Sequence, residues 1–300
     1  MIEYIHAKTI VTKNKSNAWF GTDYNMNIYK GCCHGCIYCD SRSDCYRVPD
    51  FDRVRAKENA LEIIRNDLRR KVKRGVIGTG SMSDPYNPFE KDLCLTRHAL
   101  ELVDAFEFGI SIATKGTLLA RDIDILKSIS EHSPVLVKIT ITNANDAKSL
   151  QIEPGAPPSS ERFALLKELG KAGIMAGILL MPLLPFVNDD EENIFQILDQ
   201  AIDNDARFIY PGFGVTLRMN QRVYYYEQLE KLFPGQDLAA RYRRTYGNNY
   251  SCHIPNSRKI YDRFTSECKK NQVLYDMKDI IHTYKGNYGD GQLSLFDFNL

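Results

Sequence analysis

The segment Tyr29-Lys30-Gly31-Cys32-Cys33-His34-Gly35-Cys36-Ile37-Tyr38-Cys39 decides how the rest of the chain is read. One register through it is C-x3-C-x2-C, at Cys32, Cys36 and Cys39. Three thiolates can hold three irons of a cubane and leave the fourth iron open, which turns an electron carrier into a catalyst. A second register, Cys33, Cys36 and Cys39 with Cys45, supplies four thiolates for a structural zinc ion or a closed electron-transfer cluster. The separated pair of C-x2-C knuckles that favours zinc is absent from the sequence. Gly31 and Gly35 let the backbone bend tightly round a bulky group.

The surroundings fit an ordinary globular chain. With 300 residues, 43% hydrophobic and 26% charged, it is long enough for one large domain or a barrel with an appendage, which excludes disordered and fibrous classes. Lys plus Arg number 39 against 38 Asp plus Glu, so any nucleic-acid site must be a local patch on a nearly neutral molecule. The longest apolar stretch, residues 173–187, is too short to span a bilayer and contains Pro182 and Pro185, as a buried strand and its following loop would. Glu3, His6, Lys8, Lys13 and Lys15 interrupt the first residues, unlike the apolar core of a secretory signal. The expectation is a cytoplasmic protein with no membrane partner, in which crowded cysteines point to a metal and not to disulfides.

A βα rhythm runs from the cysteines to about residue 216. Apolar, β-rich runs at 76–79, 109–114, 135–142, 174–180 and 207–211 read as parallel strands buried on both faces, with 25–29 as a first strand before the cysteines. Helical apolar spacing marks 56–72, 93–106, 120–129, 159–172 and 189–203, the fourth with Ser159 or Ser160 as its cap. Six βα units predict an α/β fold, either an open partial barrel or a doubly wound sheet, with the chemistry at the strand C-terminal ends. Residues 1–216 form this unit, and 217–300, where the rhythm stops, form an accessory region that begins with a helix through Tyr224, Tyr225, Tyr226, Leu229 and Leu232.

With Tyr38 before the last cysteine, the C-x3-C-x2-C motif resembles the signature of radical S-adenosylmethionine (SAM) enzymes. The wider segment 29–39 is similar to the branch related to spore photoproduct lyase, often labelled DNA repair photolyase-like. The likeness runs from about Trp19 to Pro211. It includes Ser83-Asp84-Pro85-Tyr86-Asn87-Pro88, Thr114-Lys115, Glu153-Pro154 and Pro182-Leu183-Leu184-Pro185 followed by Asn188-Asp189. The resemblance implies a partial (β/α)6 barrel of the radical SAM type and a 4Fe–4S cluster on Cys32, Cys36 and Cys39. It also implies that SAM is bound at the open iron and cleaved to a 5′-deoxyadenosyl radical, with an electron donor such as flavodoxin or ferredoxin as partner. At the strand ends, Lys115 suits the SAM carboxylate, Ser83 or Asp84 its ammonium, Thr140 a ribose or carboxylate oxygen, and Tyr38 the adenine. The match to the lyase's hydrogen relay is incomplete. Tyr38 occupies one tyrosine position, but Asp40 stands at the other and Ser81 at that of the donor cysteine, leaving Cys33, Cys45 or Cys94 as substitute donors.

Arg241, Arg243, Arg244, Arg258 and Lys259, interleaved with Tyr242, Tyr246, Tyr250 and His253, combine cations for phosphates with rings for extruded bases. Gln292-Leu293-Ser294-Leu295-Phe296 resembles the pentapeptide by which bacterial polymerases and repair proteins dock on the sliding clamp, with Gln292, Leu293, Leu295 and Phe296 as contact residues. The expected function is a radical SAM enzyme acting on damaged or modified DNA. Its rivals are a radical SAM enzyme acting on RNA or a peptide, and a cluster- or zinc-stabilised nucleic-acid adaptor with Cys45 as a ligand.

Overall fold

The computed structural model describes residues 2–288. Its strands are β1 (Glu3–Ile5), β2 (Val11–Lys13), β3 (Tyr24–Met26), β4 (Tyr29–Lys30), β5 (Arg55–Lys57), β6 (Val76–Thr79), β7 (Gly109–Thr114), β8 (Val135–Thr140), β9 (Ala176–Leu180), β10 (Phe208–Pro211), β11 (Gly214–Thr216) and β12 (Ser251–His253). The apolar runs build one seven-stranded sheet in the order β10-β9-β8-β7-β6-β3-β2. Its first six strands are parallel, and β2 runs antiparallel along the edge. Six parallel strands are therefore present with helices in the five intervals between them, and the sheet stays open, with β10 and β2 as its two edges.

Helices α1 (Ala60–Arg69), α2 (Glu90–Leu93), α3 (Leu95–Ala105), α4 (Ile123–Ser130), α5 (Asp146–Ile152), α6 (Ser159–Lys171) and α7 (Glu191–Asp203) follow the strands. Helices α3, α4 and α6 pack against β7, β8 and β9. Ile110, Ile112, Val137, Ile139 and Ile178 are fully buried beneath this layer. Alternation along the same strands sends Ser111, Ala113, Lys138, Thr140 and Leu179 to the opposite face. Both edges are protected. The Asp67 carboxylate on α1 accepts the Ile10 and Val11 amides at 2.7 and 2.9 Å, and Leu274 bonds through its backbone to Arg207 and Ile209 beside β10.

Several sequence expectations shift for local reasons. The run 25–29 divides: β3 joins the main sheet, while β4 pairs with β5 in a three-stranded sheet completed by β1. Because 55–57 is a strand between two partners, the helix expected over 56–72 begins only at Ala60. Cys94 adopts a left-handed φ of 51° and separates α2 from α3 within the helix expected over 93–106. Neither serine caps α6. Pro158 is its N-cap residue, and the Asp146 carboxylate accepts the Ser160 amide and hydroxyl at 2.8 and 2.6 Å.

The C-terminal region folds onto this frame as α8 (Met219–Leu232), α9 (Leu238–Tyr246), α10 (Ser257–Lys270) and α11 (Met277–Lys285). Strands β11 and β12 pair with each other, α10 packs on α7, and α11 lies against β8. No helix among the described residues is long and apolar enough to cross a membrane. The sequence Gln292, Leu293, Leu295 and Phe296, read as a clamp-docking motif, lies outside the described residues.

Replacing Asp67 with Ala leaves two edge-strand amides without their acceptor. It is expected to cost about 2–3 kcal/mol of stability, read as a lower denaturant midpoint at unchanged slope.

Candidate active site

Several peptides of the cysteine loop are held by residues from other segments. The Ser83 hydroxyl donates to the Gly31 carbonyl at 2.5 Å, and the Cys32 amide donates to Phe51 at 2.9 Å. His34 accepts from the Gly155 amide at 2.9 Å, Ile37 donates to the Ile152 carbonyl at 3.0 Å, and Tyr38 accepts from the Gln221 side chain at 2.9 Å. Gly31 has φ of 81°, and a Cβ there would stand 2.4 Å from the Arg53 carbonyl oxygen, so only glycine fits.

The loop brings Cys32, Cys36 and Cys39 onto the wall of one cavity of ≈ 290 Å³, which Ser83, Asp84 and Lys115 also line. Cys33 and Cys45 are not on that wall. Cys33 is half-buried against the core, and Cys45 is exposed on the following 3-10 turn. Among the described residues no three His, Cys, Asp or Glu side chains close round a single-ion site. The three cysteines line one space, the arrangement by which thiolates hold separate corners of a polynuclear cluster. Burial foremost pushes the Cys32 and Cys36 thiols up to about 12 and Cys39 up to about 11. Ligation by iron would supply the positive charge that their thiolates need.

Beneath the loop, Glu153 and Arg162 are fully buried and bonded at 2.6 Å. Arg162 also donates to the Thr140 and Pro157 carbonyls, and the Tyr38 hydroxyl donates to the other Glu153 oxygen. Burial raises the carboxyl's pKa, but Arg162 and Lys115 outweigh it and hold Glu153 below its ordinary value. Burial likewise opposes charge on Lys115, yet Cys36 and Glu153 hold that ammonium above its ordinary value. Lys115 Nζ lies 5.5 Å from the Tyr38 ring centroid.

Asp84 is a hub. Its carboxylate accepts from the Thr114 hydroxyl at 2.5 Å, the Tyr86 amide at 2.9 Å and the Lys115 amide at 2.8 Å, with His34 Nδ1 at 3.4 Å. A second cavity of ≈ 650 Å³ continues from the first along the inner face of the sheet, sharing Asp40, Gly80, Ser81, Asp84, Lys115 and Met181 with it and adding Thr140 and Lys138. Tyr38, Ser83, Asp84, Lys115 and Thr140 therefore meet at this double cavity. Ser83 and Asp84 bond the loop and the end of β7, and the Lys115 ammonium has no hydrogen-bonded partner among the described residues. Asp40 is held by the Tyr46 hydroxyl at 2.7 Å and Arg218 Nε at 3.1 Å.

Other candidates lie elsewhere. Cys94 contacts Arg121 at 3.5 Å beside the buried Glu90 and lines neither cavity. Tyr242 is fully buried, and its hydroxyl meets that of Tyr225 at 2.9 Å. Arg241 stacks on Phe186 at 3.8 Å, while Arg243 and Arg244 pair with Glu230 and Asp237. Arg258 and Lys259 belong to the first turn of α10. None of these five cations lines either cavity. Arg162, Gln221 and Arg218 were not singled out in the sequence. A lone arginine within an apolar helix pattern is the signal that marks Arg162; the two α8 residues carry no local signal.

The radical SAM superfamily model matches residues 26–198, and the chain belongs to that superfamily. An uncharacterized protein of Mycobacterium tuberculosis is 30% identical over 246 residues, 80% of this chain and 72% of its own. An uncharacterized protein of Methanocaldococcus jannaschii is 36% identical over 174 residues, 57% of this chain and 64% of its own. Among solved structures, a spore photoproduct lyase variant superposes with a TM-score of 0.66 at 14% identity, covering 91% of this chain and 80% of that one. A spore photoproduct lyase complexed with dinucleoside spore photoproduct gives 0.59 at 13% identity, covering 94% and 79%. At this identity the likeness is one of fold. The family implies a 4Fe–4S cluster and SAM, and three cysteines lining one cavity with the Lys115 ammonium fit both.

Glu153→Ala strands the Arg162 charge in the interior and is expected to cost about 3–5 kcal/mol and to lower iron content per reconstituted chain. Glu153→Ala combined with Arg162→Met should cost less than the single change, a sign that chemical denaturation of the double-mutant cycle reads directly.

Proposed function

We propose that this radical SAM enzyme acts on damaged or modified DNA. Its radical chemistry is supported above all by the convergence of Cys32, Cys36 and Cys39 on one cavity with Lys115 on the same wall. The DNA substrate is supported by the ordered motifs that resemble the spore photoproduct lyase branch. Further support comes from the similarity in fold to a lyase complexed with a dinucleoside photoproduct.

Bound together, the cluster and SAM supply a one-electron reductive cleavage that yields a 5′-deoxyadenosyl radical able to abstract hydrogen from substrate. The chain's own part is placement. Cys32, Cys36 and Cys39 would hold the irons, and Lys115 would take the SAM carboxylate through a charge-assisted contact. Asp84 fixes the backbone of Lys115, so the ammonium starts from an anchored strand end. Glu153, close behind Cys36, accepts from both Tyr38 and Arg162, while Arg162 Nη2 is buried without a hydrogen-bond partner among the described residues. Ser81, at the junction of the two cavities, has an O–H bond much stronger than S–H and is a poor hydrogen donor, so the proposed step ends at transfer of one nucleotide hydrogen atom to the 5′-deoxyadenosyl radical, giving 5′-deoxyadenosine and a nucleotide radical.

Anaerobic reconstitution with SAM and reductant tests the reading. Irradiated DNA is expected to raise 5′-deoxyadenosine release well above intact DNA or RNA, and equal release with all three would reject it. Cys36→Ala should abolish the SAM-responsive EPR signal of the reduced cluster, whereas Cys45→Ala should leave it intact. Lys115→Ala should weaken SAM binding by about 1–3 kcal/mol, measured by titration of that signal. We also propose that Gln292 to Phe296 recruits the enzyme through the sliding clamp. Micromolar binding by calorimetry, lost in Leu295→Ala with Phe296→Ala, is the expected outcome.

A further inference from the structure

Lys138 lies in the middle of β8, and its side chain is 2% exposed on the inner face of the sheet, on the wall of the larger cavity. Its one hydrogen-bond partner among the described residues is the Ser111 hydroxyl, at 2.5 Å, and no carboxylate pairs with it. Its Nζ also stands 4.8 Å from the centre of the Phe20 ring. Buried lysines are ordinarily paired, because an isolated ammonium in the interior loses its hydration without return. Burial alone pushes this amine down to about 7, with no charged neighbour acting on it. The two carboxylates on the cavity wall are already engaged, Asp84 by Thr114 and the Lys115 amide, Asp40 by Tyr46 and Arg218. The cavity therefore presents a buried amine with no anionic partner among the described residues and has room for an anionic group, which would favour its charged form.

Trp19 lines the same cavity. It is 45% exposed, and its indole meets Phe20 and Tyr210 edge-on, at 5.0 and 5.5 Å between centroids. Phe20 thus separates the indole from the Lys138 amine, and Lys15 lines the same wall. A cation beside an aromatic platform is the pairing that recognises a nucleotide, with phosphate on the amine and base on the ring. Lys115, by contrast, is coupled to Cys36 and Glu153 at the cysteine end, so the two lysines face different ligands.

We propose that the larger cavity seats one nucleotide unit of the substrate, with a phosphate oxygen on Lys138 Nζ and the base against Trp19. This subsite rests on the nucleic-acid reading given above, and it puts the sugar between two anchors on the path from the cysteine site. An uncharged substrate would leave Lys138 without a counter-ion.

Trp19 is the chain's only tryptophan, so its emission reports on this subsite directly. The experiment uses the reconstituted holoenzyme with SAM and a fluorescein-labelled oligothymidylate, with affinity read by anisotropy and occupancy by Trp19 emission. Binding is expected to change Trp19 emission, and Lys138→Met to weaken affinity at least tenfold with a thermal midpoint equal to or above that of the parent, because it removes an unpaired buried amine. Trp19→Ala, at an exposed position, should weaken affinity by a similar factor while leaving the buried core intact. Parent-like affinity in both variants, or anisotropy that reports binding while Trp19 emission stays unmoved, would overturn the subsite and leave the nucleic-acid reading standing. An absence of any anisotropy change with the parent enzyme would overturn the nucleic-acid reading and the subsite with it.

Discussion

A carboxylate and a guanidinium without solvent exposure, Glu153 and Arg162, lie 2.6 Å apart beneath the cysteine loop. Glu153 ends the segment after α5 and holds Tyr38, while Arg162 projects from α6 and holds the carbonyl of Thr140 at the end of β8. Three stretches distant in sequence are thereby locked to one another at the strand ends. Isolated, either charge would be prohibitively costly in the interior; together, and with every Glu153 oxygen bonded, they fix one arrangement against alternatives. Such a pair is weak as a source of net stability and strong as a source of register, which is what a loop of three ligands needs.

The same economy governs Asp84. Its carboxylate accepts from Thr114, Tyr86 and the Lys115 amide, so it anchors the strand end. Lys115 stands on the wall that both cavities share, and Lys138, two strand positions below Thr140, lines only the inner one. Gly80 lies on the shared wall as well. At φ of 91° it passes the Ala113 carbonyl so closely that a Cβ would stand 1.8 Å from that oxygen. A side chain there would force β6 and β7 apart where the two cavities join.

The region after residue 216 completes the site. Gln221 reaches the Tyr38 carbonyl, Arg218 pairs with Asp40, and Asn220 donates to the Arg42 carbonyl at 3.3 Å, so the first turn of α8 is docked on the cysteine loop. Its tyrosines serve packing: Tyr225, Tyr226 and Tyr242 form a buried aromatic cluster with Ile37, Tyr38 and Leu184. The arginines of α9 then face outward and meet local acids or rings, where solvent screening leaves their pairing weak.

The six parallel strands and the helices between them were legible from periodicity, because a strand buried on both faces must be apolar throughout and its helix must show one apolar face. The cysteine spacing and the residues at the strand ends were legible for the same reason: catalytic side chains in this topology follow their strands within a few positions. The division of residues 25–29 between two sheets was not, since it depends on β5 being claimed by two partners. Nor was the outcome of the basic stretch at 241–259, where composition alone cannot say which tyrosines turn inward. The choice among five crowded cysteines left two registers open in sequence; folding puts Cys32, Cys36 and Cys39 on one wall and turns Cys45 to solvent. Local pattern determines what each segment is, because it records burial along one element. Only the tertiary structure decides which charges are matched, because the partners of Glu153, Asp84 and Lys138 come from other segments, and an unmatched amine is visible only once every neighbour is in place.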